Sequence, residues 1–179
     1  NVDVSHFRLS LHLIIAFLIL SLIFWNYLKL KISNIFDRKI NIFIPFIFLI
    51  FIFCQIAIGA FVSGMDAGKI YNSWPLMGST YFPNDSNLVN LFKLSVFNDP
   101  SLVQFIHRNL AYIILIFYIF ILVKIYKNKI SNLYFAVNIL GVLLIIQIIL
   151  GILTILYDAQ IVLASMHQIS SIFLVSSSI

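Results

Sequence analysis

The chain has 179 residues, 62% of them hydrophobic and 9% charged, and a mean hydropathy of +1.08. A soluble domain carries roughly 25% charged and about 45–50% apolar residues, so the composition excludes a water-soluble enzyme, a disordered segment and a nucleic-acid-binding protein. The formal net charge of +5 is explained by where the basic residues fall, which is the pattern of an integral membrane protein.

Five apolar runs follow one another along the chain, at residues 7–28, 41–63, 102–125, 133–156 and 160–179. Each is long enough to cross a hydrocarbon core of ~30 Å at ~1.5 Å per helical residue. None alternates with period two, which argues against a β-barrel. Lys29, Lys31, Arg38 and Lys39 follow the first run, and Lys124, Lys127 and Lys129 cluster at the end of the third and in the loop after it. Basic residues in short loops mark the inner side of a membrane. The long connection 64–101 and the tight turn 157–159 are then external, with Asp3, Asp66, Asp85, Asp99 and Asp158 outside and only Asp37 inside. The single cysteine, Cys54, lies within an apolar run, which excludes an internal disulfide and predicts a small core residue. The chain begins at Asn1 without a methionine, and its fifth run reaches Ile179 without a polar flank, so it is read as part of a longer gene product.

An internal repeat organises the chain. Residues 55–67 (QIAIGAFVSGMDA) align without gaps on residues 147–159 (QIILGILTILYDA). Each copy ends at the outer surface and is followed by a helix with a histidine near its start, His107 after the first and His167 after the second. Ser10-Leu11-His12 resembles Ser165-Met166-His167, so the first helix reads as the second half of a further unit. By helical rise, His12, His107 and His167 all lie within about 7–10 Å of the outer hydrocarbon boundary. A single such histidine is explained by a hydrogen bond to a neighbouring helix. Three at one depth point to ligation, because ionisable groups inside a membrane are costly.

Neutral imidazole binds transition metals, and the chain contains no glutamate to make a hard-cation site. Arg108 follows His107 directly, with Phe105 and Tyr112 nearby. A haem standing edge-on, iron on histidine and propionates toward water and Arg108, fits that order. Arg108 is equally readable as an interfacial anchor. The glycine-rich stretch 64–78 carries Trp74 and Tyr71, which suit a membrane–water interface, and is either a surface cap or a lid over a cofactor. Beyond it, Leu88, Val89, Leu91, Phe92, Leu94 and Val96 form an apolar stripe expected to lie on the bilayer.

Four segments carry a family resemblance: residues 8–13 (RLSLHL), 59–78 (GAFVSGMDAGKIYNSWPLMG), 103–112 (VQFIHRNLAY) and 164–168 (ASMHQ). In these, and in their order, the chain resembles haem A synthases, which oxidise haem O to haem A for cytochrome oxidase. The absence of loop cysteines resembles the proteobacterial and mitochondrial branch. The resemblance implies an all-α, eight-helix membrane protein built from two four-helix halves. Residues 1–35 then correspond to the last helix of the N-terminal half. Residues 36–179 correspond to the C-terminal four-helix bundle, with its external loop 64–101. It further implies that His107 and His167 hold a haem b, with Arg108 at a propionate, and that His12 holds the substrate haem O. Asp66, Asn72 and Trp74 belong to the outer loop near haem, and the catalytic acid is expected upstream.

The implied reaction is two successive oxidations of the haem O C8 methyl, giving a gem-diol that loses water to leave a formyl group. The implied partners are haem O synthase, cytochrome oxidase assembly factors, the lipid bilayer and a second copy of the chain, with no nucleic acid. The implied location is a bacterial cytoplasmic or mitochondrial inner membrane, histidines toward the periplasm or intermembrane space. Competing readings are a di-haem cytochrome b that only transfers electrons and a haem-delivery transporter. The orphan His12 and the elaborate loop favour the synthase over the former, and the scarcity of mid-membrane Gly and Pro disfavours the latter.

Overall fold

The computed structural model describes residues 5–31 and 40–179. Every expected apolar run forms a helix: α1 (His6–Lys31), α2 (Phe43–Gly64), α3 (Pro100–Lys127), α4 (Tyr134–Leu156) and α5 (Ile161–Ser178). All five are long and apolar enough to cross a membrane, α4 together with the short 3-10 turn Ser131–Leu133 that precedes it. Among the described residues, extended pairing is confined to one isolated bridge between Met77 and Thr80. The chain is therefore an all-helical integral membrane protein. Asp3, Asp37, Arg38, Lys39 and the expected boundary between residues 35 and 36 lie outside the described residues.

Helix ends differ from the apolar runs because capping, to which hydropathy is blind, sets them. The start of α3 is an example. The Asp99 carboxylate accepts a hydrogen bond from the Leu102 backbone N–H at 3.1 Å, and Pro100 takes the first turn, where a missing N–H is harmless. The helix thus begins ahead of its apolar run.

Helix α2 packs along α1 and α3, and α5 packs along α4; shorter contacts join α3 to α4 and α5 to both α1 and α2. The result is a bundle of α2, α3, α4 and α5 with α1 laid against one side. Its two ends differ. One carries the basic residues Lys29, Lys31, Lys124 and Lys127; the other carries the long loop and the α4–α5 turn. The largest buried apolar cluster lies toward the basic end. It comprises Phe48 and Ile52 on α2, Ile114, Tyr118 and Ile121 on α3, Val137, Leu140 and Leu144 on α4, and Leu174 and Val175 on α5. Tyr118 closes the α3–α4 crossing, its hydroxyl donating to the Val137 carbonyl at 3.1 Å beside Gly141.

Many large apolar side chains face outward, Ile116, Phe135 and Val142 among them. In a bilayer these are solvated by lipid, which is why apolar composition alone does not say which face is core. Cys54 shows the consequence: it was expected in the core and lies on the exposed face. The apolar stripe of the loop forms two short 3-10 helices, Leu88–Phe92 and Leu94–Asn98. Leu88, Val89, Phe92 and Leu94 are exposed as expected, whereas Val96 turns inward and is buried. Phe97 stacks near Phe61 of α2 at 5.4 Å between ring centres, so the second of these helices crosses the loop end of the bundle.

Candidate functional site

His12, His107 and His167 each lie six or seven residues from the loop-end start of their helix, at closely matching depth. They do not converge as a trio. His12 is exposed on α1, and among the described residues no group of three or more His, Cys, Asp or Glu side chains is placed to share one metal ion. His107 and His167 are instead related by the repeat, each standing against the glutamine and glycine of its own hairpin.

The internal repeat becomes a structural repeat around that pair. On α2, the Gln55 amide nitrogen donates to the His107 carbonyl at 3.1 Å and lies 3.3 Å from the His107 Nε2. On α4, the Gln147 amide nitrogen donates to the His167 carbonyl at 3.0 Å and lies 3.5 Å from the His167 Nε2. One helical turn beyond each glutamine stands a glycine against which the imidazole lies. A methyl at Gly59 would come within 3.1 Å of the His107 Cε1, and one at Gly151 within 3.0 Å of the His167 Cε1. The hairpins end alike as well, with Asp66 and Asp158 both in the left-handed region, φ 52° and 57°, a conformation that Asp tolerates better than most residues.

Each histidine keeps one buried ring nitrogen, Nδ1, without a hydrogen-bond partner. A buried polar atom left unpaired is costly and asks for a partner. Two imidazoles without a third or fourth protein ligand do not make a tetrahedral zinc site. They do match what a haem needs, since the porphyrin supplies four ligands and the protein only the axial ones. The apolar core lies toward the basic end of this region. Against each ring of the pair stand one glutamine and one glycine. The residues present therefore fit a haem held by two histidines.

Over this region lies the loop, fastened at several points. Buried Arg108 donates to the carbonyls of Tyr71 (2.8 Å), Ser73 (2.9 Å) and Leu76 (3.4 Å), so it is a clamp on the loop, while its Nε keeps no partner. Gln104, one turn earlier on α3, donates to the Tyr71 carbonyl at 3.1 Å. Trp74 Nε1 donates to the Tyr112 hydroxyl at 3.0 Å, and the Tyr81 hydroxyl donates to Asn109 at 2.6 Å. Asn72 reaches across to the other hairpin, donating to Asp158 at 2.8 Å, and Gly68 lies close to Ala159. Asp66 pairs with Lys69 at 2.9 Å at the surface. The loop thus ties the α2–α3 hairpin to the α4–α5 turn.

Asp85 anchors the middle of the loop by accepting from Tyr71 (2.8 Å) and Ser101 (2.7 Å). The Ser101 hydroxyl, and then that of Tyr71, hold the Asp85 carboxyl below its ordinary value of 3.8 against partial desolvation. Tyr71 is pushed up, first by desolvation and then by its bond to Asp85. A carboxyl whose folded pKa is depressed stabilises fully above its unfolded value and loses that contribution as pH falls through the folded one. The protection factors of loop amides, exchange rates taken relative to the intrinsic rate at each pH, are therefore expected to be constant from pH 7 to about 5 and to fall below about pH 4, with Asp85→Asn removing this acid dependence.

Gln55, Gln147, Gly59 and Gly151 were not expected as site residues, although all four are identities of the sequence repeat. Ser170, whose hydroxyl donates to the Gln147 side-chain oxygen, has no counterpart in the first hairpin, where Leu110 stands, and no sequence signal marks it.

A family model described as cytochrome oxidase assembly protein (COX15-CtaA) matches residues 1–179. The chain is 47% identical over 178 residues to the heme A synthase of Pelagibacter ubique (strain HTCC1062), covering 99% of this chain and 52% of that protein. It is 40% identical over 179 residues to the heme A synthase of Rickettsia bellii (strain RML369-C), covering 97% and 53%. To that of Rickettsia felis (strain ATCC VR-1525 / URRWXCal2) it is 38% identical, with the same shares. The chain spans about half the length of these curated relatives. No solved structure matches it significantly. On the match over its whole length, the chain belongs to the COX15-CtaA family of cytochrome oxidase assembly proteins.

Proposed function

We propose that this chain is the haem b-holding part of a haem A synthase, the enzyme that oxidises the C8 methyl of haem O to the formyl group of haem A. The observation that carries this reading is the repeat-related pair His107 and His167, each with a buried, unpartnered ring nitrogen. Its support from outside the structure is the likeness to proteins named heme A synthase. Residues 36–179 form the bundle that takes haem b between two hairpins, and residues 1–35 supply the helix on which His12 meets the substrate haem. Bound there, haem b supplies one-electron transfer.

The protein's part is orientation. His107 and His167 come from different hairpins, so one ligand plane is set by two independent helix pairs. Arg108 spends its terminal nitrogens on the loop and retains Nε as a donor toward a propionate. Asp66, Asn72 and Trp74 belong to the cover: Asn72 and Trp74 pin it to the α4–α5 turn and to α3, while Asp66 shapes its entry. The concentration of basic residues at the opposite end favours an orientation with the histidines toward the periplasm or intermembrane space. Partners on this reading are haem O, the enzyme that makes it and cytochrome oxidase assembly factors.

The test is to purify the full-length protein in detergent, extract its haems and identify them by mass. Haem B together with haem O, hydroxylated haem O or haem A is the expected result. Haem B alone, in two equivalents that resist exchange, would make the protein a di-haem cytochrome b instead. In the same preparation, His107→Ala and His167→Ala are each expected to lower low-spin haem b by more than roughly tenfold, since even changes behind a metal ligand cost about that much.

A further inference from the structure

Gln55 and Gln147 are polar side chains within membrane-spanning helices, and each makes the same contact with the histidine of its own hairpin. One amide nitrogen bonds the histidine carbonyl, and the same nitrogen lies against Nε2 of the ring. The carbonyl bond fixes the rotation of the histidine's helix, and the ring contact fixes the imidazole on its Cα–Cβ bond. One side chain therefore sets both the helix rotation and the ring orientation of its histidine, which would orient the imidazole toward a bound haem. The glycine one turn on completes the arrangement from the other edge, because a Cβ there would press on Cε1.

The two copies are not equal. The single hydroxyl proton of Ser170 is shared between the Gln147 side-chain oxygen and the His167 carbonyl, 2.9 Å away. The Gln55 oxygen is buried and has no partner. An amide with both ends engaged is locked in one orientation, while one with a free end is held only by its nitrogen.

Resting on the haem b reading, we propose that Gln55 and Gln147 are positioning residues for the His107 and His167 imidazoles, and that Ser170 makes the His167 side the more rigidly set of the two. Interhelical amide bonds also act as plain packing glue in membranes, so the test needs a readout that glue would not move. Outer partners of metal ligands act on ligand orientation and basicity, hence on spectrum and potential.

The experiment compares full-length wild type, Gln55→Met, Gln147→Met and Ser170→Ala, each purified in detergent. Haem B content, low-spin EPR g-values and midpoint potential are measured for each. The expected result is altered g-values and potential per bound haem in both Gln variants. Ser170→Ala is expected to change them in the same sense as Gln147→Met but less, without affecting folding. Wild-type g-values and potential in both Gln variants at normal haem content would overturn the proposal and leave the haem b reading standing. Wild-type protein without haem B would overturn both. If the Gln variants do not accumulate, Ser170→Ala decides, and wild-type g-values there overturn the rigidity claim. Gln147→Asn, which keeps the amide but shortens its reach, is expected to resemble Gln147→Met, whereas a purely polar-glue role predicts wild-type g-values for it.

Discussion

Arg108→Ala is expected to free the external loop while leaving the five helices in place. The guanidinium is buried and bonds three backbone carbonyls contributed by Tyr71, Ser73 and Leu76. A hydrogen bond to a charged group is worth about 1.5–3 kcal/mol, and its loss here also strands carbonyls that have lost their donor. The loop keeps other ties, Gln104 to the Tyr71 carbonyl and Ser101 to Asp85 as well as the exposed Trp74–Tyr112 and Asn72–Asp158 bonds, so the loss is local rather than complete. The local opening free energy should fall by about 2–3 kcal/mol, read as faster protease cleavage within residues 64–99 while thermal unfolding of the helices changes little. Arg108→Lys should not restore protection. An ammonium is a single point donor, and it cannot span carbonyls on both sides of the loop as a planar fork does. Wild-type cleavage kinetics in Arg108→Ala would show that the loop is held by its other contacts.

Gly141→Ala is expected to be among the most damaging single-methyl additions in the bundle. A Cβ at this position would lie 2.0 Å from the Tyr118 hydroxyl oxygen and 2.6 Å from its ring. Tyr118 has little room to retreat, because it is buried among core residues and its hydroxyl is engaged by the Val137 carbonyl. Overpacking of this kind costs typically about 1–3 kcal/mol, and the lost hydrogen bond adds about 1 kcal/mol. The damage falls where α3 meets α4, one of the two slighter contacts that close the four-helix ring. The measurement is thermal unfolding of the full-length protein in detergent, with Tyr118→Phe as the second arm of a double-mutant cycle. Removing the hydroxyl should make Gly141→Ala markedly less costly, and strict additivity of the two changes would mean that they do not meet.

Membrane class, helix number and threading were legible in the sequence for physical reasons. A bilayer core demands long apolar helices that satisfy their own backbone, and these leave an unmistakable mark on composition. The repeat was legible too, because Gln55, Gly59, Asp66 and Ala67 recur as Gln147, Gly151, Asp158 and Ala159. What those identities do was not legible. Read along the chain, they align two hairpins; only in three dimensions does each glutamine meet a histidine far away in sequence, across 52 residues for Gln55 and 20 for Gln147.

Arg108 illustrates the same limit. Its place beside His107 suggested a propionate partner or an interfacial anchor, and the sequence carries nothing to say that three loop carbonyls lie within its reach. Cys54 and Val96 were misplaced because in lipid an apolar residue is content on either face, so hydrophobicity does not choose between core and surface. The sequence by itself determined the solvent the chain lives in, the number of crossings, and the depth of His12, His107 and His167, since all three follow from helical rise and hydropathy. Only the tertiary structure decided which glutamine and glycine frame each ring and which cation holds the loop. Those are contacts between segments, fixed by helix rotation and close packing, and no one-dimensional pattern encodes rotation.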